Sequence, residues 1–482
     1  MKRRKFLYRS GRFAAGLTAL SLGPAAAVAA PDRLKRASRA PATGPLRVHP
    51  DNPRYFTDGS GKAVYLTGSH TWSNLVDMGP ADPPKPFDFA ACLDWTQRLG
   101  HNFIRGWTWE SATWDTRANR HTNQDTVLKV APHPWVRTGP GEALDGKPKF
   151  DLTKFNPEYF RRLRTRAIAA GERAIYLSIM LFEGWGMQFA PNSWKAHPLH
   201  PANNVNGTNG DQNGDGNGLE VHTLVQPAVT AIQEAYVAKV VDTVNDLDNV
   251  LYEISNENHP PSTKWQYHMI RHIRRCERGK AKQHPIGMTF QYKAGSNRDL
   301  FESPADWISP NHEGGYRDNP PAADGRKVIL SDTDHLWGIG GNQAWVWKSF
   351  LQGLNPLFMD PYDGVVLGKP FDPQWEPIRK SLGYTLRLAN RVNLAAMVPR
   401  GQLASSGYCL ANLAKESAEY LVYLPEGGSV TVDLSGTAGK FNVEWFAPTE
   451  GKTRTAGTTN GGQSRRLTSP ARGDAVLLLS GT

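Results

Sequence analysis

Two acidic clusters stand where apolar runs stop. In VLYEISNENHPPS the residues Val250, Leu251, Tyr252 and Ile254 give way to Asn256, Glu257 and His259. In KVILSDTDH the run ends on Asp332, with Asp334 two residues on. Opening an acetal needs this kind of pair: one carboxyl protonates the leaving oxygen and a second attacks carbon or activates water. Glu257 is the first candidate for proton transfer, and the amide of Asn256 beside it suits a sugar hydroxyl. Asp332 is the preferred opposing group because it comes first after the apolar run. Asp334 stays open as the alternative, since it would face the same way if the chain remained extended. Glu253 shares the parity of Glu257 but lies deeper, and a buried carboxylate is costly unless paired, so a pairing with Arg105 is expected.

A saccharide site should also mix aromatic rings, which stack on C–H faces, with directional polar groups. The chain has 15 Trp. His70, Trp72, Trp107, Trp109, Glu110, Glu183, Trp185, Gln291, Tyr292, His312, Glu313, His335, Trp337 and Tyr362 all fall just past the ends of apolar runs. Asp360 ends another such run, where it could bind substrate or only face solvent. Roughly half of these are expected to line the site.

These residues need elements to carry them. Eight short apolar runs read as strands, at 63–68, 102–107, 174–180, 249–255, 285–290, 306–310, 327–332 and 355–360, with helix-period segments between most of them. Repeated βα units without a Gly-rich phosphate fingerprint predict a (β/α)8 TIM barrel, an α/β fold, over 46–398. Polar and aromatic residues gather at strand C-termini, the end where such barrels carry chemistry. From 399 to 482 the pattern becomes alternating strands split by Gly, Thr and Asn, which predicts a small antiparallel β-sandwich.

Asn256-Glu257 after the fourth run, an acid after the seventh, and Arg105 in the second resemble clan A glycoside hydrolases. More narrowly, RYFTDGSGKAVYLTGSHTWSNL and FNVEWFAPTEGK resemble apiosidase-like glycosidases with a C-terminal module labelled a collagen-binding domain. The likeness covers residues 47–482. It implies a glycosidase with Glu257 as general acid/base and Asp332 where the clan has a Glu nucleophile, mostly with retention of configuration. An Asp there is one methylene shorter than Glu, which bears on the spacing that separates retention from inversion. A transglycosylase on the same residues and a carbohydrate-binding pseudoenzyme are the rival readings.

The formal charge of +11 does not point to nucleic acid: residues 1–40 hold ten Lys and Arg against one Asp, leaving +2 on the rest. Residues 1–30, with RRKFL, an apolar alanine-rich stretch and Ala27-x-Ala29, resemble a twin-arginine export signal. This implies a periplasmic or extracellular protein. Residues 31–45 read as a disordered linker. No apolar run is long enough to span a membrane. Cys92, Cys276 and Cys409 are scattered without metal-ligand spacing, so three buried thiols without disulfides are expected. No cofactor is called for. Asp211, Asn213 and Asp215 match the start of a calcium loop, but His222 stands at its twelfth position, so a structural calcium competes with a plain Gly/Asn-rich loop.

Overall fold

A computed structural model describes residues 41–482 apart from 118, 120, 121 and 363–370. The expected export signal and residues 31–40 lie outside the described residues. Residues 41–45, expected to be linker, instead lie on the barrel: Ala42 N donates to Gly171 O at 2.9 Å and Tyr176 Oη donates to Thr43 O at 2.7 Å.

Eight parallel strands form the barrel: β1 (Gly68–His70), β2 (Phe103–Gly106), β3 (Tyr176–Glu183), β4 (Val250–Asn256), β5 (Ile286–Thr289), β6 (Trp307–Ser309), β7 (Val328–Asp332) and β8 (Asn355–Met359). Their order runs from β1 through β8, β7 and on to β2. The two ends meet where Asn102 N donates to Thr67 O at 3.1 Å. A Cβ on Gly68 would come within 2.2 Å of Phe103 O, so glycine is what lets β1 and β2 approach. The first strand therefore forms at 68–70 rather than over 63–68. Side chains supply part of the bonding before it, with Leu66 N donating to Asn355 Oδ1 and Thr67 N to Asn102 Oδ1.

Strands β3 and β4 are buried along their whole length, as near-continuous apolar runs require in a sheet covered on both faces. Helices that each bury one face cover the sheet, among them Pro157–Gly171, Pro227–Val244 and Thr263–Glu277. The link from β5 to β6 carries a short helix, Asn297–Glu302. Between β6 and β7 the described chain has one 3₁₀ turn, Glu313–Gly315, and no α-helix. Pieces of antiparallel sheet rise from the loops after β1 and β2: Asp77–Gly79, Val127–Ala131 and Thr113–Asp115 pair in that order, and Trp135–Glu142 pairs with Pro148–Phe155.

The C-terminal residues form the expected β-sandwich. A six-stranded sheet built on Glu419–Leu424, Ala475–Gly481 and Lys440–Ala447 faces the pair Ser429–Asp433 and Ser464–Thr468. Val430 and Val432 pack against Tyr420, Val422, Trp445 and Leu477 between them. A second core joins the sandwich to the barrel: Trp347, Phe350 and Leu386 of the last two helices pack on Leu421, Tyr423, Phe446 and Val476. Cys92 and Cys409 are buried, Cys276 is half-buried, and no disulfide links them. No described helix is long and apolar enough to cross a membrane.

Candidate active site

Strand β4 delivers Asn256 as its last residue, and Glu257 follows with φ +42°. That left-handed backbone is strained for a residue with a Cβ, and such strain gathers at functional sites. Gln188 Nε2 fixes the turn by donating to Glu257 O at 2.8 Å. Among the described residues no hydrogen bond reaches the Glu257 carboxyl, which lines a cleft of ≈ 330 Å³. The other walls include Trp72, Trp185, Phe290, Tyr292, Trp337, His312, Asp334 and His335.

Beneath the cleft floor lies a charged hub. Arg105 on β2, 1% exposed, holds Glu253 with two bonds, Nε to Oε2 at 3.0 Å and Nη2 to Oε1 at 2.6 Å. This is the pairing expected for Glu253. The same guanidinium donates to Asn256 Oδ1 at 2.6 Å, to Asp332 Oδ2 at 2.9 Å and to Asp334 Oδ2 at 3.1 Å. His70 Nε2 reaches Asp332 Oδ2 at 2.8 Å, and His335 Nε2 lies 3.2 Å from Asn256 Oδ1. The Asn256 Nδ2 group is buried without a partner among the described residues.

The strand-seven acids part company here. β7 ends at Asp332, whose carboxylate caps a 3₁₀ turn over Thr333–His335 by accepting from Asp334 N. The chain therefore does not stay extended, as the sequence expectation for Asp334 assumed. Asp332 is fully buried, with one oxygen on Arg105 and both on or near His70 and the Asp334 amide. Asp334 is 7% exposed and stands at the cleft wall. The carboxyls at the cleft are thus Glu257 and Asp334, whereas Asp332, preferred from the sequence, sits in the hub below.

Their proton affinities diverge. Burial would raise the Asp332 carboxyl, but His70 and Arg105 outweigh it and hold it well below the usual range. Burial pushes Asp334 up to about 6, against the pull of Arg105 and with the help of the Asp332 charge. Glu257 is raised well above the ordinary 4.5, first by burial and then by the charges of Asp334 and Glu183, with Arg105 opposing. His335 is pushed down to about 3 by burial and then by Arg105, and so stays neutral. The two carboxyls at the cleft are thus the ones whose proton affinity is raised, while Asp332 beneath them is held in its ionised form.

The remaining expected residues fall into three groups. Trp72, Trp185, Tyr292, His312, His335 and Trp337 line the cleft. Trp107, 0% exposed, and Trp109, 2% exposed, lie behind it, packed against Trp72. Glu183 is also behind the wall, its carboxylate accepting from Trp185 N and Gly186 N at 2.9 and 2.7 Å. Five residues are spent elsewhere. Gln291 Nε2 bonds His259 O and Ser262 Oγ, and Asp360 holds Arg379 with two bonds. Glu313 turns to a separate depression of ≈ 350 Å³ beside Asn297 and Tyr316. Glu110 is tied to His197 and His222, and Tyr362 packs on Trp95. In the 203–220 loop, Asp211 accepts from Gly214 N and Gly216 N, and Asp215 from Asn217 N and Asn213 Nδ2. These carboxylates are already bound by N–H donors, and among the described residues no three His, Cys, Asp or Glu converge as metal ligands. The sequence reading missed Phe290, Lys293, Arg317 and Met359, which also line the cleft.

Comparison with known proteins accords with this architecture. Residues 101–293 match the profile of a domain of unknown function, DUF6298, and residues 396–480 match the "Putative collagen-binding domain of a collagenase". No curated protein sequence matches the chain. Its structural neighbours are glycoside hydrolases. One, described as a glycoside hydrolase, is 13% identical with a TM-score of 0.59, over 91% of this chain and 97% of its own. A family 5 glycoside hydrolase from Bacteroides vulgatus is 12% identical with a TM-score of 0.60, over 92% of this chain and 95% of its own. At that identity the shared property is the fold, a (β/α)8 barrel carrying a C-terminal β-sandwich.

Proposed function

We propose that the protein is a glycoside hydrolase in which Glu257 is the general acid/base and Asp334 the opposing carboxylate, acting with retention of configuration. One observation carries the reading: two carboxyls from different strand ends line a single aromatic cleft, one biased toward the protonated form and the other ionised near neutral pH. Environments that separate two carboxyls in this way mark acid and base roles. Glu257 gives its proton to the leaving oxygen as the C–O bond breaks, and an Asp334 oxygen bonds the anomeric carbon. Water then displaces Asp334, losing its proton to Glu257, which restores both groups. Retention is inferred from the resemblance to clan A.

Asp332 is assigned a positioning role, because an acid with no surface at the cleft cannot reach an anomeric carbon. The sandwich, sharing a core with the barrel, supports it. The leader-like N-terminus supports export. The test is turnover of a panel of aryl glycosides. Glu257→Gln should lose about 10²–10⁴-fold in rate. Azide should rescue Asp334→Gly by forming a glycosyl azide and should not rescue Asp332→Gly. Rescue of Asp332→Gly alone would return the nucleophile's role to Asp332.

A further inference from the structure

Two cations line the cleft that the proposed chemistry does not use. Lys293, the fourth residue after β5, is exposed, with its Nζ 5.0 Å from the Phe189 ring centroid and 5.9 Å from that of Tyr292. No carboxylate among the described residues pairs with it. Arg317, in the irregular run after β6, has its guanidinium 5.5 Å from the Trp337 ring centroid. Its ion pair is with Asp318 at 3.9 Å, a side chain that is 87% exposed, so the contact is solvated and weak. Arg317 leans on Trp337, a ring of the cleft wall, and Lys293 on Phe189 and on the cleft-wall ring of Tyr292, contacts that steady both cations beside the cleft. A third potential donor, His312, stands in the same wall.

The floor below is acidic, with Asp334 at the surface and Asp332 and Glu253 beneath. A neutral sugar would need no cation there. A saccharide bearing an anionic group would be repelled by the floor and held by Lys293 and Arg317, which orients it with its anionic end outward. We propose that the substrate is an anionic glycan whose carboxylate or sulfate is bound by Lys293 and Arg317. This rests on the glycosidase reading and specifies its substrate class.

The full-length Glu257→Gln chain is run by affinity electrophoresis in gels containing polygalacturonate, glucuronoxylan, carrageenan or neutral glucomannan. At least one anionic polymer should retard it more than glucomannan does. Lys293→Ala/Arg317→Ala in that background should weaken this retention at least tenfold, with an unchanged melting temperature because both side chains are exposed. Lys452→Ala/Arg466→Ala, on exposed strands of the sandwich, should leave it unchanged, which separates a cleft site from general attraction to polyanions. Carboxyl reduction of the retained polymer distinguishes the two anions, abolishing retention by a uronate and sparing retention by a sulfate. Retention by no anionic polymer, equal retention by glucomannan, or equal loss in the sandwich variant would overturn the proposal. Turnover separates this from the enzymatic reading. Cleft-dependent anion binding without Glu257-dependent turnover would leave the anion site and remove the glycosidase. Glu257-dependent turnover of neutral glycans alone would do the reverse.

Discussion

The backbone amide of Asp334 donates to Asp332 Oδ1 at 3.0 Å, so the acid at the cleft wall rides on a turn capped by the acid beneath it. Arg105 Nη1 then bonds both carboxylates. Substitutions at the two positions should therefore separate. Asp334→Asn should lose turnover with a smaller change in melting temperature, since among the described residues its carboxylate is hydrogen-bonded to Arg105 alone, where that of Asp332 bonds Arg105, His70 and the Asp334 amide. Asp332→Asn leaves Arg105 and His70 short of a buried anion, and removing one partner of such a pair costs about 3–5 kcal/mol. It should lower the melting temperature, reduce kcat more than KM, and shift the acidic limb of the rate profile through Asp334. Paired melting curves and pH–rate profiles check this, and the opposite pattern would exchange the two roles.

The rate profile itself should be bell-shaped. Asp334 must be ionised to attack, and with its carboxyl pushed up to about 6, kcat/KM should fall as the pH drops through that value. Glu257 must be protonated to act as acid, and because it is raised well above 4.5, activity should fall on the alkaline side only as pH climbs through that raised value. Activity measured from pH 4 to 9 on one aryl glycoside tests both limbs. Full activity at pH 4 would contradict the assignment of Asp334.

Much of this was legible from the residues alone, and the misses have physical causes. The barrel could be read because each buried parallel strand is a short apolar run with polar residues at its C-terminal end, as in NVLYEIS before Asn256. The pairing of Glu253 with Arg105 followed from the cost of burying a charge. The expectation that Asp334 would face with Asp332 presumed extended backbone, and the Asp332 cap converts that stretch into a 3₁₀ turn. Gln291 and Asp360 have the composition of site residues. Tertiary structure instead turns the first to the His259–Ser262 turn and the second to Arg379. Lys293 and Arg317 were overlooked because an exposed cation in a loop is ordinarily solvated, and its place at a cleft depends on tertiary structure.

The same electrostatics that raise Glu257 should make the site a cost to stability. A carboxyl whose folded pKa lies above its unfolded value loses stabilisation as pH rises from about 4.5 toward the raised value, each unit of elevation costing about 1.4 kcal/mol. Glu257→Gln removes the titration and keeps the shape. Its melting temperature should match the parent's near pH 4 and exceed it at pH 8. A gap that fails to open with rising pH would mean that Glu257 is not held in its protonated form.

The shared core between barrel and sandwich makes a prediction independent of the chemistry. Trp347 is 0% exposed, stacks with Tyr423 at 6.1 Å between ring centroids and packs on Phe446 at 5.6 Å. Truncating such a side chain costs about 3–5 kcal/mol. Ending the chain at residue 397 would expose it together with Phe350 and Leu386 as one apolar patch on the last two helices. The truncated barrel should aggregate on purification, and Trp347→Ala in the full chain should melt earlier as one cooperative unit with its site intact. Scanning calorimetry distinguishes the outcomes. Two separated transitions in the intact chain, or a soluble barrel at full activity after truncation, would show that the two parts fold independently despite the packed interface.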